Sequence, residues 1–356
     1  MPDVPVRIMR PAPEPRFTLV HAADLVLRPP QWLVKGVLEL DTTAVLFGPP
    51  KCGKSFAAID LACCVASGLD FHGHPVKRLG HVIYLAGEGH AGITRRLHAW
   101  TRWRHVDLRD LSINVSTRSA AISDPEVVAE VIAAVDRAAK VDGAPVLVIV
   151  DTLARNFGAG DENSTRDMGL FVRGLDRIRI QYGCAVIVVH HTGHNDQGRA
   201  RGSINLKASI DAEYRMNRDD EGVMRFEALV MKDASIPPPM AFKLHSIDLG
   251  LTDEDGLPIT SCVLQATEYE PRAKSSKSVG GKHQLTALRV LHELMQKRRA
   301  ELSAKGSGSQ DAWVFIADWR SACVGADIPR KRFYELRASL SDSGQIRIKD
   351  ELVRPT

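Results

Sequence analysis

The sequence predicts an α/β fold with a mainly parallel sheet, followed by a small C-terminal domain. Apolar runs rich in Val, Ile and Leu alternate with helical patterns from Leu40 onward, as in parallel sheets that helices cover on both faces. A glycine-rich loop joins the first of these strands to its helix. The polar segment EPRAKSSKSVGGK then separates this pattern from a largely helical C-terminal stretch.

The composition is that of a globular protein without a membrane partner. The chain has 356 residues, of which 44% are hydrophobic and 25% charged. No apolar run approaches the length of a membrane span, and the N-terminus has charges and prolines where a signal peptide needs an apolar core. We therefore expect a cytoplasmic protein. The six cysteines form no C-x-x-C pair, which predicts reduced packing residues rather than zinc ligands or disulfides.

The predicted elements of the first domain follow one another in a regular order. A Pro-rich segment occupies 1–30, and the domain itself is expected over 31–268. Its strand–helix order is Ala44–Phe47, a helix from Lys54, HVIYLAG, the helix ITRRLHAWTRW, a helix over Val127–Lys140, PVLVIVDT, a helix over Asp167–Gln181 and CAVIVVHHT. Three β-type runs come next, VMRFEALVMK, MAFKLHSIDL and SCVLQATEY, and are expected to extend the sheet as antiparallel strands. A linker is expected over 269–283.

The loop GPPKCGKS has the spacing G-x-x-x-x-G-K-S from Gly48 to Ser55. Glycines let successive backbone N–H groups turn inward, and the following helix adds the positive end of its dipole, so the loop is expected to bind the phosphates of ATP. Lys54 would reach the β- and γ-phosphates, and Ser55 would hold Mg²⁺. The predicted nucleotide-binding residues are Gly48, Pro49, Pro50, Lys51, Cys52, Gly53, Lys54, Ser55 and Phe56.

Two carboxylates end strands that are predicted to meet at the same edge of the sheet, where ligands of open α/β sheets bind. The run VLVIVD ends in Asp151, which is expected to hold the Mg²⁺ shell through water, the alternative being a helix-capping aspartate. Thr152 follows it where many phosphate-loop ATPases carry a catalytic glutamate. We therefore expect Glu88, at the end of HVIYLAGE, to orient the attacking water.

Taken in order, five stretches of the chain carry a family resemblance. They are GPPKCGKS, VIYLAGEGHAGITRRLHAW, VIVDTLARNFGAGDENS, VIVVHHTG and RGSINLKASIDA. The sequence resembles the RecA-like ATPases of the RepA-type plasmid replicative helicases, relatives of the DnaB hexameric helicases. The resemblance implies a RecA-like P-loop core in a ring of six subunits. Such a ring would hydrolyse ATP at subunit interfaces while moving along single-stranded DNA.

The same resemblance implies roles for a histidine and for a basic loop. His191, at the end of VIVVHH, takes the position of a γ-phosphate sensor. The alternative is that His190 and His191 are ordinary strand-end histidines or a metal pair. The loop TGHNDQGRARGS lies where RecA-like proteins carry a mobile DNA-contacting loop, with Arg199 and Arg201 as the candidate contacts. A solvated basic loop is the alternative.

The resemblance also raises the question of a cation supplied by the neighbouring subunit to neutralise transition-state charge. DnaB relatives use a Lys-x-Arg pair at the end of a late strand. Here LVMKDASIPPP keeps Lys232 but has Ala234 where the arginine would be. Lys232 is the candidate for this role, with Arg215 and Arg96 as possible substitutes between which the sequence does not decide.

The C-terminal stretch 284–356 carries the basic character of the chain, with 17 Lys and Arg against 9 Asp and Glu from Pro271 onward. Its pattern of three helices and a β-hairpin predicts a winged-helix-like domain. Phe333, Leu336 and Leu340 have core spacing in the third helix. An outward basic stripe remains, which predicts contact with duplex DNA or with replication proteins. Its DNA-contacting candidates are Arg330, Lys331, Tyr334 and Arg337, with Arg332 alongside.

Three functions are compatible with these features. The first is an ATP-hydrolysing, ring-forming DNA motor, a replicative-type helicase of a plasmid, phage or integrated element. The second is a RecA-like ATPase that remodels DNA without unwinding it. The third is an ATP-switched regulator whose tail reads an operator or origin and whose hydrolysis only sets the oligomeric state.

Overall fold

The computed structural model describes residues 19–27, 29–193, 196–200, 204–269, 282–304 and 312–356. Most of the predicted N-terminal segment and of the predicted linker lies outside this described part. The chain divides into two compact units, Met1–Tyr269 and Glu270–Thr356, and each unit is considered by itself below.

Strands and helices alternate through the N-terminal unit, in the predicted order with several additions. In chain order they are β1 (Trp32–Val34), β2 (Leu38–Glu39), β3 (Thr43–Gly48), α1 (Lys54–Ser67), β4 (His81–Ala86), α2 (His90–Arg104), β5 (Ile113–Val115), α3 (Pro125–Asp142), β6 (Pro145–Asp151), α4 (Leu153–Asn156), α5 (Thr165–Tyr182), β7 (Ala185–Gly193), β8 (Asp196–Ala200), α6 (Ile204–Ser209), β9 (Ala212–Arg218), β10 (Met224–Met231), β11 (Met240–Thr252) and β12 (Pro258–Thr267).

Ten of these strands form one sheet in the order β12-β11-β10-β9-β3-β7-β6-β4-β5, with β8 paired to β7. The strands from β9 to β5 along this order pair in parallel. The three predicted C-terminal runs are β10, β11 and β12, and they extend the sheet in antiparallel fashion. The predicted fold class, an α/β core with a mainly parallel sheet, is confirmed.

Strand β9 was not predicted, because it lacks a continuous apolar run. Glu213 and Arg215 interrupt the sequence AEYRMNR, and both are paired in the structure. The carboxylate of Glu213 is buried and lies 3.3 Å from Nζ of Lys207, while Arg215 pairs with Glu227 on β10. Charged residues in a buried strand are tolerated when they are paired. Because these charges interrupt the apolar run, a hydrophobicity pattern does not identify the strand.

The two faces of the sheet bury two separate apolar clusters, and the strand residues alternate between them as the period of two requires. In β3, Ala44 and Leu46 belong to the cluster under α1 and α2. Val45 and Phe47 belong to the cluster under α3 and α5. Because both faces are covered, a strand such as β6 is buried at every position, which explains its uninterrupted apolar sequence.

The parallel strands end together at one edge of the sheet. Gly48, the last residue of β3, is level with His191 of β7. Asp151, the last residue of β6, is level with Val189 of β7 and with Ala86 of β4. The loops after β3, β4, β6 and β7 therefore meet at this edge.

The C-terminal unit contains three helices and a small three-stranded sheet of order β13-β15-β14. Trp319 and Phe333 are fully buried in its core. The three helices and the hairpin follow the order expected from the sequence, and a short strand that the sequence did not predict precedes the second helix. The winged-helix assignment stays a prediction. The elements are α7 (Lys282–Ala304), β13 (Val314–Phe315), α8 (Ile316–Gly325), α9 (Arg330–Asp342), β14 (Ile346–Lys349) and β15 (Leu352–Pro355).

All six cysteines are free thiols. Within the described ranges there is no cluster of His, Cys, Asp and Glu side chains that could hold a metal ion. No helix of the described chain is long and apolar enough to cross a membrane.

Candidate nucleotide-binding site

The glycine-rich loop lies between β3 and α1, and its two glycines are enforced by close packing. Gly53 caps α1 with a φ of 103°, a left-handed conformation that favours glycine. A Cβ placed on Gly53 would lie 2.4 Å from Sδ of Met224, and one on Gly48 would lie 2.0 Å from the carbonyl oxygen of Met216. The backbone of β9 thus leaves no room for a side chain at Gly48. At Gly53 the left-handed φ and the side chain of Met224 both favour glycine.

The side chain of Lys54 is folded back under this loop. It is only 5% exposed, and its Nζ donates to the carbonyl oxygens of Gly48 at 2.9 Å and Pro49 at 2.8 Å. Burial lowers the pKa of the Lys54 amine, because the charged form loses its hydration. The hydrogen bonds to the loop carbonyls place the Lys54 amine at the N-terminus of α1, where phosphate groups bind.

Asp151 presents one carboxylate oxygen that is bonded and one that is not. The hydroxyl of Tyr84 donates to Oδ2 at 2.5 Å. Burial and the neighbouring carboxylate raise the pKa of Tyr84 well above its ordinary value, so the phenol remains a donor. The other oxygen, Oδ1, is buried and has no hydrogen-bond partner among the residues that the structure describes. A buried carboxylate oxygen of this kind is suited to a cation or its water shell, which fits the predicted Mg²⁺.

The carboxylate of Glu88 forms an ion pair with Arg155 of α4. The Nε of Arg155 lies 2.9 Å from Oε2 of Glu88. The adjacent backbone is fixed as well, because the N–H of Gly87 donates to the carbonyl oxygen of Asp151 at 2.7 Å. A Cβ on Gly87 would lie 2.2 Å from Cβ of Arg155, so glycine is what allows this approach. The segment after β4 is thus fastened to the segment after β6.

His191 lies directly beside the lysine. Its Nδ1 is 3.2 Å from Nζ of Lys54. Burial lowers the pKa of His191, and the nearby charge of Lys54 lowers it further, so the imidazole is neutral at physiological pH and can accept a hydrogen bond. The neighbouring His190 is buried inside the sheet at 1% exposure. The two histidines therefore do not face one cavity as a metal pair.

These groups surround one open cavity of about 580 Å³, a volume typical of small-molecule sites. It brings together the five residues predicted to act within one subunit, and also Lys51, Gly53 and Phe56 of the loop. The side chain of Cys52 instead packs into the core. The residues lining the cavity are Lys51, Gly53, Lys54, Ser55, Phe56, Glu88, Gly89, Gly92, Ile93, Arg96, Asp151, Thr152, His191, Arg218, Met224 and Leu244.

Two arginines in this lining were not predicted as part of the chain's own site. The sequence suggests Arg96 only as a cation supplied to a neighbouring subunit, yet its guanidinium carbon lies 4.4 Å from the centre of the Phe56 ring in the same subunit. Arg218 ends β9. Its place could not be predicted because β9 was not recognised as the strand beside β3.

Lys232 and Arg215 do not reach this cavity. Nζ of Lys232 lies 3.4 Å from Oδ1 of Asp211, whose other oxygen accepts from the backbone N–H of Thr43. Thr43 begins β3, so Lys232 lies at the end of the sheet opposite the phosphate loop. Arg215 is bonded to Glu227 at 2.5 Å. Any contact of Lys232 with a nucleotide requires a second subunit, and this role stays a prediction.

The predicted DNA-contacting residues lie in two places. Arg199 belongs to β8, which pairs with the end of β7 directly after His191. Arg201 lies outside the described residues. In the C-terminal unit, Arg330, Tyr334 and Arg337 lie on α9 together with Lys331 and Arg332.

A glycine-rich loop with a buried lysine, and carboxylates gathered at the carboxyl edge of a parallel sheet, define a P-loop ATPase. A family model described as an AAA domain matches residues 9–197, and the chain belongs to this family. Among solved structures, the crystal structure of the RadB recombinase is similar. It has 16% sequence identity and a TM-score of 0.42, over 58% of this chain and 88% of that chain.

Proposed function

We propose that this ATPase is a ring-forming motor that hydrolyses ATP while moving along single-stranded DNA, as a replicative-type helicase. The observation that carries the ATPase part is the single cavity shared by Lys54, Ser55, Glu88, Asp151 and His191. The part concerning DNA and the ring rests on the resemblance to the RepA-type helicases and on the basic segments of the chain.

The residues of the cavity divide the work of hydrolysis. The loop N–H groups and the ammonium of Lys54 bind the phosphates of ATP. Ser55 and Oδ1 of Asp151 are the groups that would hold Mg²⁺, which supplies positive charge against the phosphates. Oε2 of Glu88 is held by Arg155, which leaves Oε1 to accept a hydrogen bond from the attacking water.

His191 provides a route from the phosphates to the DNA. A neutral imidazole 3.2 Å from the Lys54 ammonium changes its hydrogen bonding when the γ-phosphate beside that ammonium departs. His191 lies in β7, and β7 pairs with β8, which carries Arg199. A shift at His191 is therefore passed to the predicted DNA-contacting loop.

The test of this proposal compares ATP turnover with and without single-stranded DNA, together with strand separation on a forked duplex. We expect stimulation by single strands and ATP-dependent strand separation. Lys54→Ala should abolish both, whereas Lys77→Ala, an exposed lysine away from the cavity, should change neither. Electron microscopy with a non-hydrolysable ATP analogue and single-stranded DNA should show rings. Unchanged turnover in Lys54→Ala would disprove the assignment of the site.

A second experiment tests the coupling to DNA. Replacing Arg199 and Arg201 together by alanine should leave basal turnover intact and remove its stimulation by single strands, with a shallower salt dependence of binding. Full stimulation in this variant would place the DNA elsewhere. If single strands stimulate ATP turnover of the wild-type protein but the forked duplex is not separated, the chain is a DNA-remodelling ATPase, the second function considered above.

A further inference from the structure

We propose that Arg320, Arg330, Tyr334 and Arg337 of the C-terminal unit form a binding site for the phosphates of double-stranded DNA. These four residues are called the arginine cluster below. The proposal goes beyond the ATP-driven motor because the site lies in the other compact unit and needs no nucleotide. The sequence predicted a basic stripe on α9 alone, whereas the structure adds Arg320 from α8 and groups the guanidinium groups around one phenol.

The geometry of the arginine cluster centres on Tyr334. Nη1 of Arg320 donates to the Tyr334 hydroxyl at 3.0 Å. The guanidinium carbon of Arg337 lies 6.0 Å from the centre of the same ring. The hydrogen bond and charge of Arg320, with the charge of Arg330, lower the pKa of the Tyr334 phenol. Three cationic groups from two helices thus surround one exposed side chain.

The charges of the arginine cluster are not neutralised by carboxylates. Among the described residues, Arg320, Arg330 and Arg337 form no ion pair with Asp or Glu. On the same helix, Arg332 pairs with Glu335 at 2.8 Å. Like charges held close together repel one another, so a bound anion would stabilise this arrangement. The planar fork of a guanidinium group matches the oxygens of a phosphate, which favours phosphate as that anion.

Tyr334 is placed to contact a backbone rather than to stack on a base. Its hydroxyl is engaged by Arg320, Arg337 lies over its ring, and its ring meets that of Phe333 in an edge-to-face contact with centroids 6.1 Å apart. Aromatic side chains that bind single strands offer a free ring face to the bases. The cluster therefore reads phosphates, and its binding should carry little sequence preference.

A second group of cations in the same unit favours a duplex over a small anion. Arg347 of β14 and Arg354 of β15 lie directly opposite each other in the hairpin, an arrangement of like charges that destabilises a strand pair. Arg354 also lies over the ring of Trp313, 4.7 Å from its centre. A polyanion with many phosphates can neutralise the arginine cluster and also the Arg347–Arg354 pair. A single phosphate ion can neutralise only one of these two groups.

The experiment measures binding of the full-length chain to a labelled duplex of arbitrary sequence by fluorescence anisotropy, without nucleotide and over a salt series. Arg320→Ala and Arg337→Ala should each weaken binding roughly five- to tenfold. Each should also reduce the slope of log K against log salt concentration by about one, the value for one phosphate contact. Tyr334→Phe keeps the ring but removes the anchor of Arg320, so it should weaken binding less, by roughly two- to threefold. Thermal melting verifies that each variant is folded.

The matched control is Arg332→Ala, which removes the same charge from the same helix but from an existing ion pair. It should change the duplex affinity by less than about twofold. The proposal is overturned if Arg320→Ala binds duplex like the wild type, or if Arg332→Ala weakens binding as much as Arg320→Ala, since net charge alone would then explain the effect. ATP turnover without DNA should be normal in all four variants. A protein without ATPase activity that still shows this pattern would disprove the proposed motor and leave the duplex site standing.

Discussion

At the scale of single residues, the site depends on groups whose burial changes their chemistry. Lys54 and Asp151 are almost inaccessible, at 5% and 6% exposure, yet both face the cavity at the loop. Burying an ion is costly unless it is paired or finds a ligand. The lysine is satisfied by loop carbonyls and the aspartate by Tyr84 on one oxygen alone, which leaves the other oxygen available to a metal shell.

His191 gives a prediction for the pH dependence of stability. Burial and the charge of Lys54 lower its folded pKa below the ordinary value of about 6.5. As the pH falls below that value, the unfolded chain takes up a proton that the folded chain does not, so the free energy of unfolding falls. Between about pH 7.5 and about pH 5.5, the wild type should therefore lose more stability than His191→Gln, which does not titrate. Urea denaturation at the two pH values measures this, and equal losses would contradict it.

At the scale of elements, a hydrogen bond and an ion pair connect the segments that follow neighbouring strands at the edge of the sheet beside the cavity. The N–H of Gly87, after β4, bonds to the carbonyl of Asp151 at the end of β6. Arg155 of α4 then reaches back to Glu88. Short α4 thus positions the Glu88 carboxylate, which follows a different strand. If Glu88 orients the attacking water, as we propose, the residue directly after Asp151 need not be a glutamate.

Arg155→Ala tests this role of α4. Without the guanidinium group, Glu88 loses the contact that orients it, so kcat should fall by about 10- to 100-fold while the affinity for ATP is retained. Arg155→Lys should recover part of the loss. Arg118→Ala serves as a control, because it breaks a similarly exposed ion pair with Glu130 outside this cavity.

The variant Glu88→Gln shows whether Arg155 acts through the glutamate. Glu88→Gln should bind ATP but hydrolyse it slowly, and adding Arg155→Ala should then cost little more in single-turnover measurements. Additive losses in the double variant would show that Arg155 acts independently of Glu88. Near-normal turnover in Glu88→Gln alone would show instead that Glu88 is not the residue that orients the water.

At the scale of the whole molecule, the predicted ring would have to supply Lys232 to the nucleotide site of a neighbouring subunit. Within its own subunit, Lys232 lies at the end of the sheet opposite the phosphate loop. Lys232 pairs with Asp211 near the start of β3, while the phosphate loop follows the end of β3. A lysine on that side can meet a nucleotide only across an interface between subunits. The chain's own cavity already contains Arg96 and Arg218, which are the alternatives if no such interface contact exists.

A mixing experiment decides between these arrangements. Lys232→Ala should lower turnover by about two orders of magnitude with little change in ATP affinity, because a trans cation acts on the transition state. Mixed with Lys54→Ala subunits, some interfaces pair an intact loop with an intact Lys232, so activity should partly return. If mass photometry shows mixed oligomers that stay inactive, Lys232 does not act in trans and the cation must be sought at Arg96, Arg215 or Arg218.

The sequence by itself determined the parallel sheet, the phosphate loop and the polar residues at or near the carboxyl ends of β4, β6 and β7. These features depend on local patterns, because a strand buried on both faces must be apolar throughout and the loop needs glycines at fixed spacing. Asp151, Glu88 and His191 could be predicted to approach one another because the carboxyl ends of parallel strands share an edge.

Only the tertiary structure decided which charged residues join those groups. Strand β9 is hidden by paired charges such as Glu213 with Lys207, so the place of Arg218 beside the cavity could not be read from its neighbours in sequence. The contact between Arg155 and Glu88 spans 67 positions, and Arg320 meets Tyr334 from another helix. Such contacts are fixed by how elements pack, since side-chain pairs distant in sequence leave no periodic signal in either partner.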